Sequence, residues 1–174
     1  MSLRRREFLK AMAAGAMLPF GAFTHSPKPS QSTAPTEIDR LFDETIVIDT
    51  LSTAHKWDDV AFSAVKESGY TAIQTSLSSQ NLEAAVQALA EWNRRIEHHP
   101  DVFIKTAKAA DIERAKREAK LAVVYGFQNA TMVEDDVDNV DVLYDLGTRC
   151  IQLTYNARNL VGDGCTERTQ AGLS

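Results

Sequence analysis

Cysteine is scarce in this chain. Only Cys150 and Cys165 occur, and neither sits in a Cys-x-x-Cys pair or beside a histidine. A thiolate zinc site therefore has no support, and one disulfide is the most that could form; spacing alone leaves that bridge open. No Gly-x-Gly-x-x-Gly run follows the first apolar strand and no phosphate-binding Gly/Lys loop is present, which removes the usual signals for a nucleotide. Long apolar runs are missing too. The longest, Ala11–Phe23, has 13 residues and is interrupted by Gly15, Pro19 and Gly21, whereas a membrane span needs about 20. Positive charge is in deficit, with 19 Lys and Arg against 24 Asp and Glu. Nucleic acid is thereby excluded as an expected partner, because phosphate contacts need clustered cations.

What is present begins with an address. Arg5-Arg6-Glu7-Phe8-Leu9-Lys10 fits the twin-arginine export pattern, and Ala11–Phe23 follows as its apolar region. Residues 1–24 are read as that signal, with cleavage expected after Ala22 or Thr24. The expected destination is the periplasm or another exported location, with the twin-arginine machinery as a partner. The membrane is met only through this segment, if it stays uncleaved. Residues 25–36, HSPKPSQSTAPT, are rich in Pro and Ser/Thr and read as a flexible linker. Removing residues 1–24, which carry +3, moves the formal charge from −5 to −8. Such an acidic surface favours solubility.

Residues 37–174 alternate between strand and helix patterns. Strands are expected at Thr45–Asp49, Thr71–Ser76, Val102–Lys105, Leu121–Phe127 and Arg149–Thr154. Helices are expected near Asp58–Ser68, from an Asn81 cap to His98, at Ala109–Lys120 and at Glu134–Leu146. Leu82, Ala85, Val86, Leu89, Trp92 and Ile96 line one face of the long second helix. This alternation implies an α/β fold with a parallel sheet. In such sheets ligands meet the carboxyl ends of the strands. Here those ends carry Gln128-Asn129 and Tyr155-Asn156, which are the candidate pocket residues. The structural alternative is that these side chains merely bond neighbouring loop backbone.

The same region resembles the membrane (renal) dipeptidase family. The residues that carry the likeness are GFQNAT at 126–131, LGTRCIQLTYNARNLVGDGC at 146–165 and AGLS at 171–174, with a looser match at Ile46–Asp49. Gly147, Arg149, Leu153, Thr154 and Asn159 match the family's Gly-x-Arg-x-x-x-Leu-Thr-His pattern and the Asn that follows it. The resemblance implies a (β/α)₈ TIM-type barrel hydrolysing dipeptides with two zinc ions at its top, so a small peptide is the implied substrate. A whole barrel takes about 250 residues. The chain is therefore expected to be an N-terminal portion, about the first five strands, which alone would fold poorly and be inactive.

The departures fall on the implied metal ligands. Where the family has Asp-Gly-His-x-Asp, this chain has Asp49-Thr50-Leu51-Ser52-Thr53, so Leu51 replaces the histidine and Thr53 the second aspartate. Gln128 stands at the bridging glutamate, and Tyr155 at a histidine that contacts substrate. Leu cannot ligate zinc, and an amide lacks the charge that holds two cations together. The expectation is one zinc rather than two, or none, with altered chemistry or a non-hydrolytic small-molecule or peptide binder as alternatives. A shifted alignment would offer His55 as a ligand instead.

Other residues have ordinary readings. His98-His99 before Pro100 suit a helix C-terminus, and Glu134-Asp135-Asp136 suit a helix start, where the dipole favours each charge. A calcium site at the acidic run is the weaker alternative, because the EF-hand spacing is missing. Arg94-Arg95 and the charged mixture at 111–120 read as solvated faces. Trp57, Trp92 and Cys150 read as packing residues.

Overall fold

The computed structural model describes residues 36–52 and 57–168. The export signal, the linker up to Pro35, Thr53, His55 and the terminal AGLS lie outside them.

Helix starts follow from short-range hydrogen bonds. Thr36 and Asp39 form a capping box, with the Asp39 amide donating to Thr36 Oγ1 at 3.2 Å and the Thr36 amide to Asp39 Oδ2 at 2.7 Å. They open α1, Glu37–Glu44, an element the sequence reading did not place. Thr45 closes that helix through its hydroxyl on the Leu41 carbonyl. The first strand consequently begins later than expected, with β1 at Ile48–Ser52. Asp58 caps α2, Asp59–Ser68, which ends at Gly69 with φ +71°, a left-handed turn that suits glycine. After β2, Ala72–Thr75, the Asn81 side chain caps the long α3, Leu82–His98, and His99 closes it with its ring 4.5 Å from that of Phe62. Then come β3, Phe103–Lys105, α4, Ala109–Glu118, and β4, Leu121–Phe127.

The expected helix at Glu134–Leu146 is corrected. A single 3₁₀ turn, Thr131–Val133, is followed by Glu134 at φ +57°, and α5 starts only at Asn139, running to Leu146. The positive φ at Glu134 is incompatible with helical propagation. The acidic run therefore does not open α5. Glu134 instead caps α3, accepting the Leu82 amide at 3.0 Å. Gly147 ends α5 at φ +115°, and β5 spans Thr148–Ile151, shorter than Arg149–Thr154.

All strand pairs are parallel, β1 with β2, β2 with β4, and β4 with both β3 and β5. The order β1-β2-β4-β3 does not follow the chain. The amides of Leu121 and Gln152 and the carbonyls of Val123 and Phe127 show how β4 has room for three neighbours. Its edge at 121–123 bonds β3 through Val102 and Thr106, and the same edge at Phe127 receives Gln152 after β5. The opposite edge bonds Thr71 and Leu77 around β2. The sheet with its helices is consistent with part of a TIM-type barrel.

Both faces of β4 are covered, as its near-continuous apolar sequence requires. One face joins Leu121, Val123, Tyr125 and Phe127 to Leu89 and Trp92 of α3 and Leu143 of α5. Trp57, Trp92 and Phe103 meet edge-on at 5.3–6.0 Å, so both tryptophans pack as expected. The other face is built from small residues, Ala72, Ala122 and Ala115 with Ile104. Cys150 is half-buried and Cys165 exposed, and both are free thiols, so the bridge left open by spacing does not form.

Candidate functional site

Parallel strands deliver their carboxyl ends to one rim. Alternation along β4 puts Gln128 on the face that carries Ala122 and Gly126, and along β2 it puts Ser76 with Ala72 and Gln74. These two meet: Ser76 Oγ donates to Gln128 Oε1 at 2.8 Å. Gly126 keeps the floor below them close-packed, since a Cβ there would lie 2.9 Å from Gln74 Cγ. Leu51 is at the end of β1, 38% exposed.

Asn129 is half-buried and tied to the loop after β5. Asn159 Nδ2 donates to Asn129 Oδ1 at 2.6 Å and to the Leu153 carbonyl at 2.7 Å. Asn159 Oδ1 in turn accepts the amides of Val161 and Gly162 at 2.8 and 3.1 Å. That second pair is an Asx-type turn. Asn159 matches the family pattern, but its turn is signalled in the sequence only by the run Asn159-Leu160-Val161-Gly162.

Tyr155 is exposed, and its carbonyl accepts the Cys165 amide at 2.7 Å. Asn156 bonds within the same loop, its carbonyl accepting Thr166 at 3.0 Å and its Oδ1 the Cys165 thiol at 3.3 Å. The Asn156 side chain is thus held by another side chain of its own loop rather than by loop backbone. Arg158 pairs with Asp163, and a cavity of about 370 Å³ lies beside it, lined by Ala130, Thr131, Glu134, Arg158, Asn159 and Leu160.

Arg149 serves the fold rather than this rim. It donates to the carbonyls of Ala107 and Tyr144 at 2.8 Å and stacks 4.1 Å over the Tyr144 ring. Beneath it, Lys105 Nζ donates to Asn93 Oδ1 at 3.0 Å and to the Leu146 carbonyl at 2.9 Å. Burial, and then the nearby Arg149 charge, hold the Lys105 ammonium below the usual lysine range.

A sequence model of the membrane dipeptidase family, peptidase family M19, matches residues 30–174. The chain belongs to the membrane dipeptidase family. Among solved structures, an amidohydrolase from Pseudomonas aeruginosa is 36% identical with a TM-score of 0.71, over 78% of this chain and 41% of that one. The probable dipeptidase PvdM from Pseudomonas aeruginosa shares the fold at 13% identity and a TM-score of 0.58, over 72% of this chain and 38% of that one. The chain thus spans about two-fifths of the length of either protein.

Membership in the dipeptidase family implies zinc, and the rim tests that implication. Leu51 offers no lone pair, and the amide oxygen of Gln128 is already engaged by Ser76. Among the described residues no group of three or more His, Cys, Asp or Glu side chains converges. The described part of this rim does not fit a zinc pair. Thr53 and His55 are outside the described residues.

Proposed function

We propose that this chain contributes the β1–β5 side of the binding rim of an exported dipeptidase-like hydrolase, acting on dipeptides or related small amides. The observation that carries the reading is the junction of the β4 and β5 loops through Asn129 and Asn159, at the strand ends where α/β folds hold ligands. Family membership over residues 30–174 supports peptide hydrolysis as the chemistry. In this reading Gln128, Asn129 and Tyr155 face substrate, Asn156 shapes the loop behind them, and any zinc takes its ligands from outside Leu51 and Gln128.

A second reading, a barrel that binds small peptides without cleaving them, is favoured by the same Leu51 and Gln128 substitutions and by the Ser76–Gln128 bond. One experiment separates the two. The full-length exported protein is purified without chelator, its zinc is counted, and dipeptide binding and hydrolysis are followed. Hydrolysis with no more than one zinc per chain is expected. Two zinc ions per chain would overturn the assignment of Leu51, Thr53 and Gln128, and bound dipeptide with neither zinc nor hydrolysis would leave the binder.

A further inference from the structure

An asparagine side chain has one accepting and one donating end, and which end faces a site depends on what holds the other. Asn159 resolves this for Asn129. Two backbone amides, Val161 and Gly162, point at one atom of the Asn159 side chain, and amides only donate, so that atom is the oxygen. Its other atom meets the Leu153 carbonyl, which only accepts, so that atom is the nitrogen. The same nitrogen lies 2.6 Å from Asn129, and the atom of Asn129 that it meets must therefore be oxygen. Polarity is thus handed from backbone to Asn159 to Asn129. The Asn129 Nδ2 is left with no partner among the described residues.

We infer that Asn129 Nδ2 is a substrate-reading donor of this rim, and that Asn159 is the positioning residue that fixes its polarity. The ligand it fits is an oxygen acceptor of a small peptide, either the terminal carboxylate or the peptide carbonyl. This inference rests on the hydrolase reading above and adds to it an atom, a polarity and the residue that sets it.

Two conservative variants invert the polarity of the unpartnered end by different routes. Asn129→Asp keeps the oxygen that Asn159 holds and replaces the unpartnered donor by an acceptor. Asn159→Asp still accepts Val161 and Gly162 but presents oxygen to Asn129, whose amide turns over to leave its own oxygen unpartnered; it also gives up the bond to the Leu153 carbonyl, a cost the melting temperature reads. The test is the affinity of the full-length protein and both variants for alanylalanine and for its C-terminal amide, read as KM where the dipeptide is turned over and by calorimetry where it is not, with melting temperatures measured alongside. If the acceptor is the carboxylate, both variants lose affinity for the acid by roughly ten- to a hundredfold, the range for one hydrogen bond to a charged group. The preference for acid over amide then reverses in both. An equal loss for both ligands with an unchanged melting temperature in Asn129→Asp assigns the bond to the peptide carbonyl. Unchanged affinities, or losses that track a fall in melting temperature, overturn the inference alone. Full-length protein that binds neither compound overturns the hydrolase reading and this inference with it.

Discussion

Asn93 carries two donors on one oxygen. Tyr125 Oη and Lys105 Nζ both reach its Oδ1 at 3.0 Å, behind the aromatic core. Replacing Asn93 with Leu strands the buried Tyr125 hydroxyl and leaves the Lys105 ammonium only the Leu146 carbonyl, and we expect a loss on the order of 1–3 kcal/mol in urea unfolding at neutral pH. The same cluster sets an alkaline response. Burial pushes the Tyr125 phenol well above its ordinary range, with Arg95 opposing. The unfolded chain releases that proton near pH 10 while the native chain keeps it, so this contribution is intact below about 10 and is lost above it. Lys105, lowered by burial and by Arg149, works with the opposite sign. Stability measured from pH 9 to 11 should therefore fall less steeply above 10 in Tyr125→Phe than in the native chain; identical slopes would refute the assignment. None of this was visible in the sequence, where Asn93 and Lys105 are two ordinary polar residues twelve positions apart. The place of Gln128 and Asn129 at the end of β4 was legible because they directly follow an apolar strand. Their partners Ser76 and Asn159 were not, because they are distant in the chain and meet only when β2, β4 and β5 align.

At the scale of elements, caps explain most of what could be read. Asn81, Asp58, Gly69 and Gly147 each act within a few residues, so the boundaries of α2 and α3 and the end of α5 were open to inspection. The start of α5 was not, since it depends on Glu134 turning away to cap α3, a bond across 52 positions. Asp111 offers a test at this scale. Its carboxylate accepts the amides of Ala107 and Lys108 at 3.0 Å, which fixes the turn leading from β3 into α4. Burial would raise its pKa, but those two amides, with Arg114 and Lys108 nearby, hold it below the ordinary carboxylate value. The stabilisation is thus present above about pH 4 and fades as acid protonates the native carboxylate. Asp111→Ala should cost about 1–2 kcal/mol at pH 7, the usual worth of a side-chain cap. The difference from the native chain should shrink towards pH 3, and a difference that persists there would point to packing instead.

At the scale of the molecule, the open margins of the sheet carry exposed apolar side chains, Ile46, Ile48 and Leu51 near β1 and Leu153, Tyr155 and Leu160 after β5. Export is the other whole-chain property, and it is proposed from residues 1–24. Changing Arg5 and Arg6 together to Lys should leave the protein in the cytoplasmic fraction, and undiminished export would exclude the twin-arginine route. What the sequence determined unaided is the parallel α/β alternation, most caps and the family, because periodicity, capping and short motifs act over a few residues. Only the tertiary structure decided that β3 lies across β4 from β2 and that Gln128 answers to Ser76. It alone set the polarity of Asn129 through Asn159. Those outcomes depend on which distant backbone groups share an edge of β4, and no local pattern encodes that choice.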